Sequence, residues 1–260
     1  MPALGPILLT GAAGRIGSSL RAPLREVASE LRLTDRAPLT PEAQNETVHQ
    51  ADLTDFEGLR QAADGVEAVV HLGGVPSEAP FAELAASNLI GCYNAFEAAR
   101  LGGAERFVFA SSAHATGFYP VGHQLVGDEP PRPDSLYGVT KVYGEALGRL
   151  YHDKFGLRVA CLRIGGFQVR PIESRMRHSW LSVPDAARLV LACLSSPDLG
   201  FGVLYGVSHN RRSWWSTEPA RRLGYTPRDD AEEFAAELGE IDDGLPQGGV
   251  FASPERHSER

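Results

Sequence analysis

The 260-residue sequence contains no run of about 18 apolar residues, so no segment reads as a membrane span. Only three cysteines occur, Cys92, Cys161 and Cys193. They are odd in number, lie in apolar surroundings and show no Cys-x-x-Cys or Cys/His spacing, which excludes a disulfide framework and a metal site and reads as reduced, buried thiols. No basic cluster is longer than Arg211-Arg212, and 25 Lys and Arg stand against 33 Asp and Glu for a formal charge of -8, so a nucleic-acid groove is not expected. Met1 to Pro6 lack the positive region and long apolar stretch of a secretory signal; the expected setting is the cytoplasm. There is no internal repeat and no low-complexity tract. What remains, 43% apolar with 28 Gly and 18 Pro, is a globular composition long enough to bury a core without a staple.

Short apolar runs bounded by turn residues alternate with segments of helical period. Strands are expected at Pro6 to Thr10, Leu31 to Thr34, Glu46 to His49, Glu67 to Leu72, Arg106 to Ala110 and Arg158 to Leu162. Helices are expected from Gly14 to about Val27, Asp55 to Ala63, Phe81 to Arg100, Ser135 to Phe155 and Val183 to Ser195. Most of these strands are apolar on both faces, as in a parallel sheet covered by helices on each side, and the expected class is α/β with a doubly wound parallel sheet. After Arg163 the rhythm changes. A small C-terminal lobe is expected over residues 164–260, packed as one unit on the core of residues 1–163, with a strand at Val203 to Val207 and short helices near Glu218 and Ala231. The tail from Gly239 is rich in helix breakers and is expected to drape over the surface.

Gly11, Gly14 and Gly17 stand where the first strand turns into a helix. The first permits a tight turn, the second lets backbone approach a pyrophosphate at the helix N-terminus, and the third allows close packing. An ordinary tight turn would use glycines too, but Asp35 ends the second strand 18 positions after Gly17, near the separation of about 20 at which an acidic residue meets ribose hydroxyls. Together they point to a dinucleotide site and, because a carboxylate repels a 2′-phosphate, to NAD. Arg36 beside Asp35 is the complication. The other reading of Asp35 is a cap for the turn after it. Asp52 and Leu53 follow the third strand and suit an adenine, with Asp52 equally a candidate N-cap for the next helix.

Tyr137 and Lys141 are four apart at the start of a helix and so share a face. A phenol of pKa about 10 is a poor base at neutral pH, and an adjacent ammonium favours the phenolate. Ser111 and Ser112 end a central strand about 25 residues upstream, where parallel strands line the ligand crevice.

With these residues the sequence resembles the extended short-chain dehydrogenases/reductases, and among them the uronate dehydrogenases. The resemblance is carried by Val70-His71-Leu72-Gly73-Gly74, Pro80-Phe81, Asn88-Leu89-Ile90-Gly91, Phe109-Ala110-Ser111-Ser112, Tyr137-Gly138-Val139-Thr140-Lys141, Asp153-Lys154-Phe155-Gly156, Arg163-Ile164-Gly165, Arg175-Met176, Trp214-Trp215 and Gln247-Gly248-Gly249. It runs from about Ile7 to Phe251. It implies a Rossmann core, NAD as cofactor, and oxidation at C1 of a cyclic hexuronate to an aldarolactone. It further implies that Tyr137 takes the C1 hydroxyl proton, Ser112 holds that oxygen, and Lys141 lowers the phenol pKa and binds the nicotinamide ribose. Ser112, His114, Tyr137 and Arg175 would meet the sugar acid. Gly11, Gly14, Arg15, Ile16, Gly17, Asp35, Asp52, Leu53, Leu72, Gly73, Gly74, Asn88, Tyr137, Lys141 and Ile164 would surround the cofactor.

Three positions depart from the pattern: Pro76, Ala113 and Gly166 stand where the family presents polar side chains to the sugar. The alternatives are a nucleotide-sugar epimerase or dehydratase and a non-catalytic dinucleotide-binding regulator. The first usually needs a longer C-terminal lobe than the roughly 97 residues after Arg163, and the second would not need a complete Ser, Tyr and Lys set. The partner expected is a small sugar acid; the oligomeric state, homo-oligomer included, stays open.

Overall fold

The computed structural model describes residues 4–241 and 244–256. Residues 1–3, part of the stretch read for a leader, and 242–243 and 257–260 of the tail lie outside the described residues. Along the chain come β1 (Ile7–Thr10), α1 (Arg15–Arg25), β2 (Leu31–Thr34), β3 (Glu46–Val48), α2 (Phe56–Ala63), β4 (Ala68–His71) and α3 (Phe81–Leu84). A π-helical turn (Ala85–Ile90) leads into α4 (Gly91–Leu101) and β5 (Arg106–Ser112). Then follow α5 (Leu136–Phe155), β6 (Arg158–Ile164), β7 (Gly166–Phe167), α6 (Met176–Ser179), β8 (Trp180–Leu181), α7 (Val183–Ser195) and β9 (Phe201–Gly206).

Seven parallel strands make one sheet in the order β3-β2-β1-β4-β5-β6-β9. The period of two sorts its residues. Ile7, Leu9, Val70, Val108, Ala160 and Leu162 join Leu20 and Leu24 of α1 and Leu189 and Cys193 of α7 on one side. Leu8, Val69, Phe107, Phe109, Val159 and Cys161 join Leu59 of α2, Cys92 and Phe96 of α4 and Leu147 and Tyr151 of α5 on the other. All three cysteines are buried free thiols. Full burial of a Leu or Phe side chain contributes roughly 1.5–3 kcal/mol, so the apolar residues on both faces hold the sheet between its two layers of helices. The strand order reverses at β1 and β4, and a ligand crevice opens there beyond the carboxyl ends of the strands.

One expectation changes. The segment after Arg163 is not confined to a lobe beside the sheet: β9 pairs with β6 from Val159↔Phe201 to Ile164↔Gly206, and α7 packs into the core next to α1. The strand expected in the lobe is thus the edge of the main sheet, and only β7 and β8 form a separate two-stranded piece. The described tail keeps Gly239, Glu240, Gly244 and Val250 exposed and is pinned at Gln247, which is buried and whose backbone N–H donates to the Tyr119 carbonyl at 2.9 Å.

Candidate active site

The crevice is built from backbone. Gly11 has φ +68°, and a Cβ there would lie 2.6 Å from the Gly73 backbone nitrogen; a Cβ on Gly17 would overlap the Gly11 carbonyl oxygen. Both glycines are therefore required, one by conformation and both by contact. Gly14 is the N-cap of α1 and caps it with no side chain, so the N-terminal N–H groups of an 11-residue helix keep their affinity for an anion. Asp35 Oδ2 accepts from Ala13 N–H at 3.0 Å and Oδ1 from Ala37 N–H at 2.9 Å. The carboxylate therefore braces the glycine turn and caps the turn after it, and each oxygen has a second lone pair for a ribose hydroxyl. Arg15 is exposed, with Nη1 3.5 Å from the Phe167 carbonyl; Ile16 packs with Ile164 against Phe167 and Leu181. A narrow cradle, an uncapped helix end and a half-exposed carboxylate fit a dinucleotide.

Asp52 is exposed, and it does not cap α2. Its Oδ1 accepts from the N–H and the hydroxyl of Thr54, which lowers its carboxyl pKa, with exposed Arg36 adding to the effect; Asp55, whose Oδ1 accepts from Gly58 N–H, is the cap. Leu53 packs against Gly73 and Gly91, at both of which a Cβ would crowd it. Leu72 is partly buried against the core. Gly73 N–H donates to Thr10 Oγ1 at 3.3 Å, and Thr10 Oγ1 lies 2.7 Å from His71 Nδ1. Burial pushes the His71 imidazole down to about 3, so it is neutral at physiological pH. Gly74 has φ +142° and abuts Asn88. The Asn88 amide donates to the Val75 carbonyl and to Thr140 Oγ1, both at 3.0 Å, and accepts from Val75 N–H at 2.8 Å. Both amide hydrogens are thereby used within the protein, and Asn88 ties the loop after β4 to α5. It sits in the π-helical turn, whose extra residue turns the side chain toward that loop.

Ser135 caps α5, accepting from Gly138 N–H at 3.0 Å, and Glu78 Oε2 accepts from Tyr137 N–H at 2.8 Å. Tyr137, Lys141 and Glu145, four apart, are all buried against β5. Lys141 Nζ donates to the Ala110 carbonyl at 2.9 Å and lies 5.4 Å from the centre of the Tyr137 ring. Glu145 pairs with Arg163 Nε and Nη2, both at 2.9 Å, and accepts from the Ser111 hydroxyl at 2.6 Å. Ser111 thus points to this buried pair and Ser112 to the phenol side; breaking such a pair costs about 3–5 kcal/mol. The spacing alone had Lys141 drawing the phenol pKa down. In the protein by itself burial prevails: it pushes the Tyr137 phenol up to about 12, opposed by a hydrogen bond with Ser112 and aided by Asp134, and pushes the Lys141 ammonium down to about 8.

The remaining wall is assembled from distant segments. His114 Nδ1 lies 2.8 Å from Asp134 Oδ2, and its ring lies tilted at 34° with its centre 4.0 Å from that of Phe251 and meets the Tyr137 ring edge-on at 6.0 Å. Arg175 Nη1 donates to the Pro246 carbonyl at 2.8 Å and Nη2 to that of Leu245 at 3.3 Å, so this Arg anchors the tail. Gln247 accepts from Trp215 Nε1 at 2.7 Å and donates to the Pro120 and His123 carbonyls. Ala113 packs on the cluster of Leu125, Tyr205, Trp214 and Trp215; a Cβ on Gly166 would lie 3.0 Å from Met176 Cε; Pro76 is exposed. Two of the three departures therefore adjoin apolar side chains. Sequence reasoning passed over Glu78 and Asp134, which lie in no motif with a spacing to read, and gave no role to Thr140, which lies within the Tyr137 to Lys141 motif.

The NAD dependent epimerase/dehydratase family matches residues 7–167. A uronate dehydrogenase from Pseudomonas syringae pv. tomato is 41% identical over 89% of this chain and 85% of its own length. An NAD-dependent glucose-6-phosphate dehydrogenase from Haloferax volcanii is 40% identical over 92% of this chain and 98% of its own. Among solved structures, a mutant uronate dehydrogenase from Agrobacterium tumefaciens complexed with NAD superposes with a TM-score of 0.93 at 40% identity, covering 99% of this chain and 100% of that one. The chain belongs to the NAD dependent epimerase/dehydratase family and stands within it among the uronate dehydrogenases.

Proposed function

We propose that this chain oxidises the C1 hydroxyl of a cyclic hexuronate, glucuronate or galacturonate, to the aldarolactone with NAD. The carrying observation is the convergence of Ser112, Tyr137 and Lys141 beside the Gly11 to Gly17 cradle, in a chain whose uronate dehydrogenase relatives match it over nearly nine-tenths of its length. Gly11, Gly14 and Gly17 with α1 would hold the pyrophosphate, Asp35 the adenosine ribose, and Lys141 the nicotinamide ribose. Bound there, NAD supplies the hydride acceptor and, in its oxidised form, a positive charge. Tyr137 takes the C1 hydroxyl proton as phenolate while the Ser112 hydroxyl holds the same oxygen. Burial opposes the phenolate in the protein alone, so the lowered pKa that base catalysis demands belongs to the loaded site, where added positive charge favours it.

Arg175 is the proposed carboxylate partner. It donates to the Pro246 and Leu245 carbonyls, and its planar guanidinium fork also matches a carboxylate, which accepts two parallel bonds and carries the opposite charge. His114 is proposed to meet a sugar hydroxyl. The division into a nucleotide-binding core and a C-terminal substrate lobe is functional on this reading, with the lobe lending β9 and α7 to the core. Among the described residues no helix is long and apolar enough to cross a membrane, and we place the enzyme in the cytoplasm.

The test is NAD reduction over glucuronate, galacturonate, glucose, glucose 6-phosphate and UDP-glucuronate. The two uronates are expected to give the highest kcat/KM, and Arg175→Lys to raise KM for them more than for glucose. Turnover of glucose 6-phosphate alone would move the substrate class to sugar phosphates, and equal effects of Arg175→Lys on all sugars would remove its role.

A further inference from the structure

Asp134 is a buried carboxylate that the reaction as derived does not use. Its side chain has no solvent exposure. Oδ2 lies 2.8 Å from His114 Nδ1, Oδ1 accepts from the Ser135 hydroxyl at 2.9 Å, and its backbone N–H donates to the His114 carbonyl at 3.3 Å. A Cβ on either Gly117 or Gly248 would overlap Oδ2, so the slot around the carboxylate tolerates only glycine on both sides and holds it in one place. The Gly248 N–H donates to the Gly117 carbonyl at 2.9 Å, closing that slot with the tail. A carboxylate only accepts hydrogen bonds, which puts the imidazole proton on Nδ1 and leaves Nε2 as the acceptor of the neutral ring.

We propose that Asp134 is a positioning residue for the oxidation: it fixes His114 in the Nδ1–H tautomer so that Nε2 accepts a hydrogen bond from a sugar hydroxyl. This rests on the reading that His114 meets the substrate. The consequence is a site that selects hydroxylated sugars through a side chain held by a second, buried one, with the tail completing the socket.

The test joins a ring measurement to a double-mutant cycle. Nitrogen NMR of the wild-type protein is expected to show His114 protonated on Nδ1 with an unprotonated Nε2; a ring protonated on Nε2 overturns the proposal, and this measurement needs no variant to fold. Asp134→Ala is expected to lower kcat/KM for the uronate about 10- to 100-fold while NAD affinity stays unchanged. In a His114→Ala background the same change is expected to cost less than about threefold, because the group it acts through is gone. Equal losses in both backgrounds, or an equal loss of NAD affinity, mark a structural role and overturn the proposal. A wild-type protein that reduces no NAD with uronates overturns the functional reading as well, whereas full uronate activity with an Nε2-protonated His114 overturns only the part given to Asp134.

Discussion

The two walls of the crevice are held by different means. On the nucleotide side the constraints are backbone ones: Gly11 at φ +68°, Gly17 against the Gly11 carbonyl, Gly73 against Thr10 and Leu53. Twelve of the fifteen residues proposed around the cofactor lie within the first 88 positions. The wall proposed for the sugar is assembled from five separate segments, around His114, Asp134, Arg175, Trp215 and Gln247, joined by side chains bonding to remote side chains and carbonyls. A backbone cradle serves one ligand, because a moved glycine turn no longer fits a pyrophosphate. A wall of side chains held by remote partners can change its lining one residue at a time, as Ala113 beside the Leu125 to Trp215 cluster and Gly166 beside Met176 illustrate.

Tyr137→Phe gives the largest expected effect, a loss of about 10²–10⁴ in turnover, with NAD affinity retained if the two walls are separable. Turnover and NAD titration on one preparation measure both, and an equal collapse of NAD binding would break the distinction. Next comes Gln247→Ala, which leaves the Trp215 indole N–H without its acceptor and loosens the tail. At about 1–3 kcal/mol for a buried group left unsatisfied, the unfolding free energy should fall by that amount, and KM for the uronate should rise while the NAD dissociation constant holds. A shift in NAD affinity alone would put the tail on the wrong wall.

The smallest expected effect is one of pH. Burial lowers the Lys141 pKa from 10.5 to about 8, so between those values the unfolded chain binds more protons than the folded one, and stability gains as pH rises through that window. Lys141→Met removes that gain. The stability of the variant relative to wild type should therefore fall from pH 8 to 10.5 in denaturant titrations, and a constant difference would show that the ammonium is well solvated.

The same contrast explains what the sequence made legible. Strands apolar on both faces announce a parallel sheet, and β1, β2 and α7 lie where their patterns place them, because burial acts on each residue of a regular element. The glycines were readable for a similar reason: a tight strand-to-helix turn has nearly fixed spacings, and Asp35 ends its strand where it braces that turn. Asp134 and Glu78 were not, since what makes them part of the site is proximity created by folding, with no period or spacing near Pro133-Asp134-Ser135 or Ser77-Glu78 to record it. The anchor points of the tail were not legible in its composition: glycine and proline report that a segment is not helical, but where it is pinned depends on Trp215 and Arg175, which wait at the far end of other elements. The phenol pKa was misjudged because charge proximity was readable from an i, i+4 pair and desolvation was not.

The central claim, that this active site removes hydride from C1 of a uronate, is tested most directly by following NADH formation with glucuronate and galacturonate while carbon NMR follows the sugar. The account predicts one NADH per uronate consumed, with C1 passing from hemiacetal to lactone and the C6 carboxylate unchanged. Tight binding of NAD with no NADH formed from either uronate, or an oxidised carbon other than C1, would contradict it.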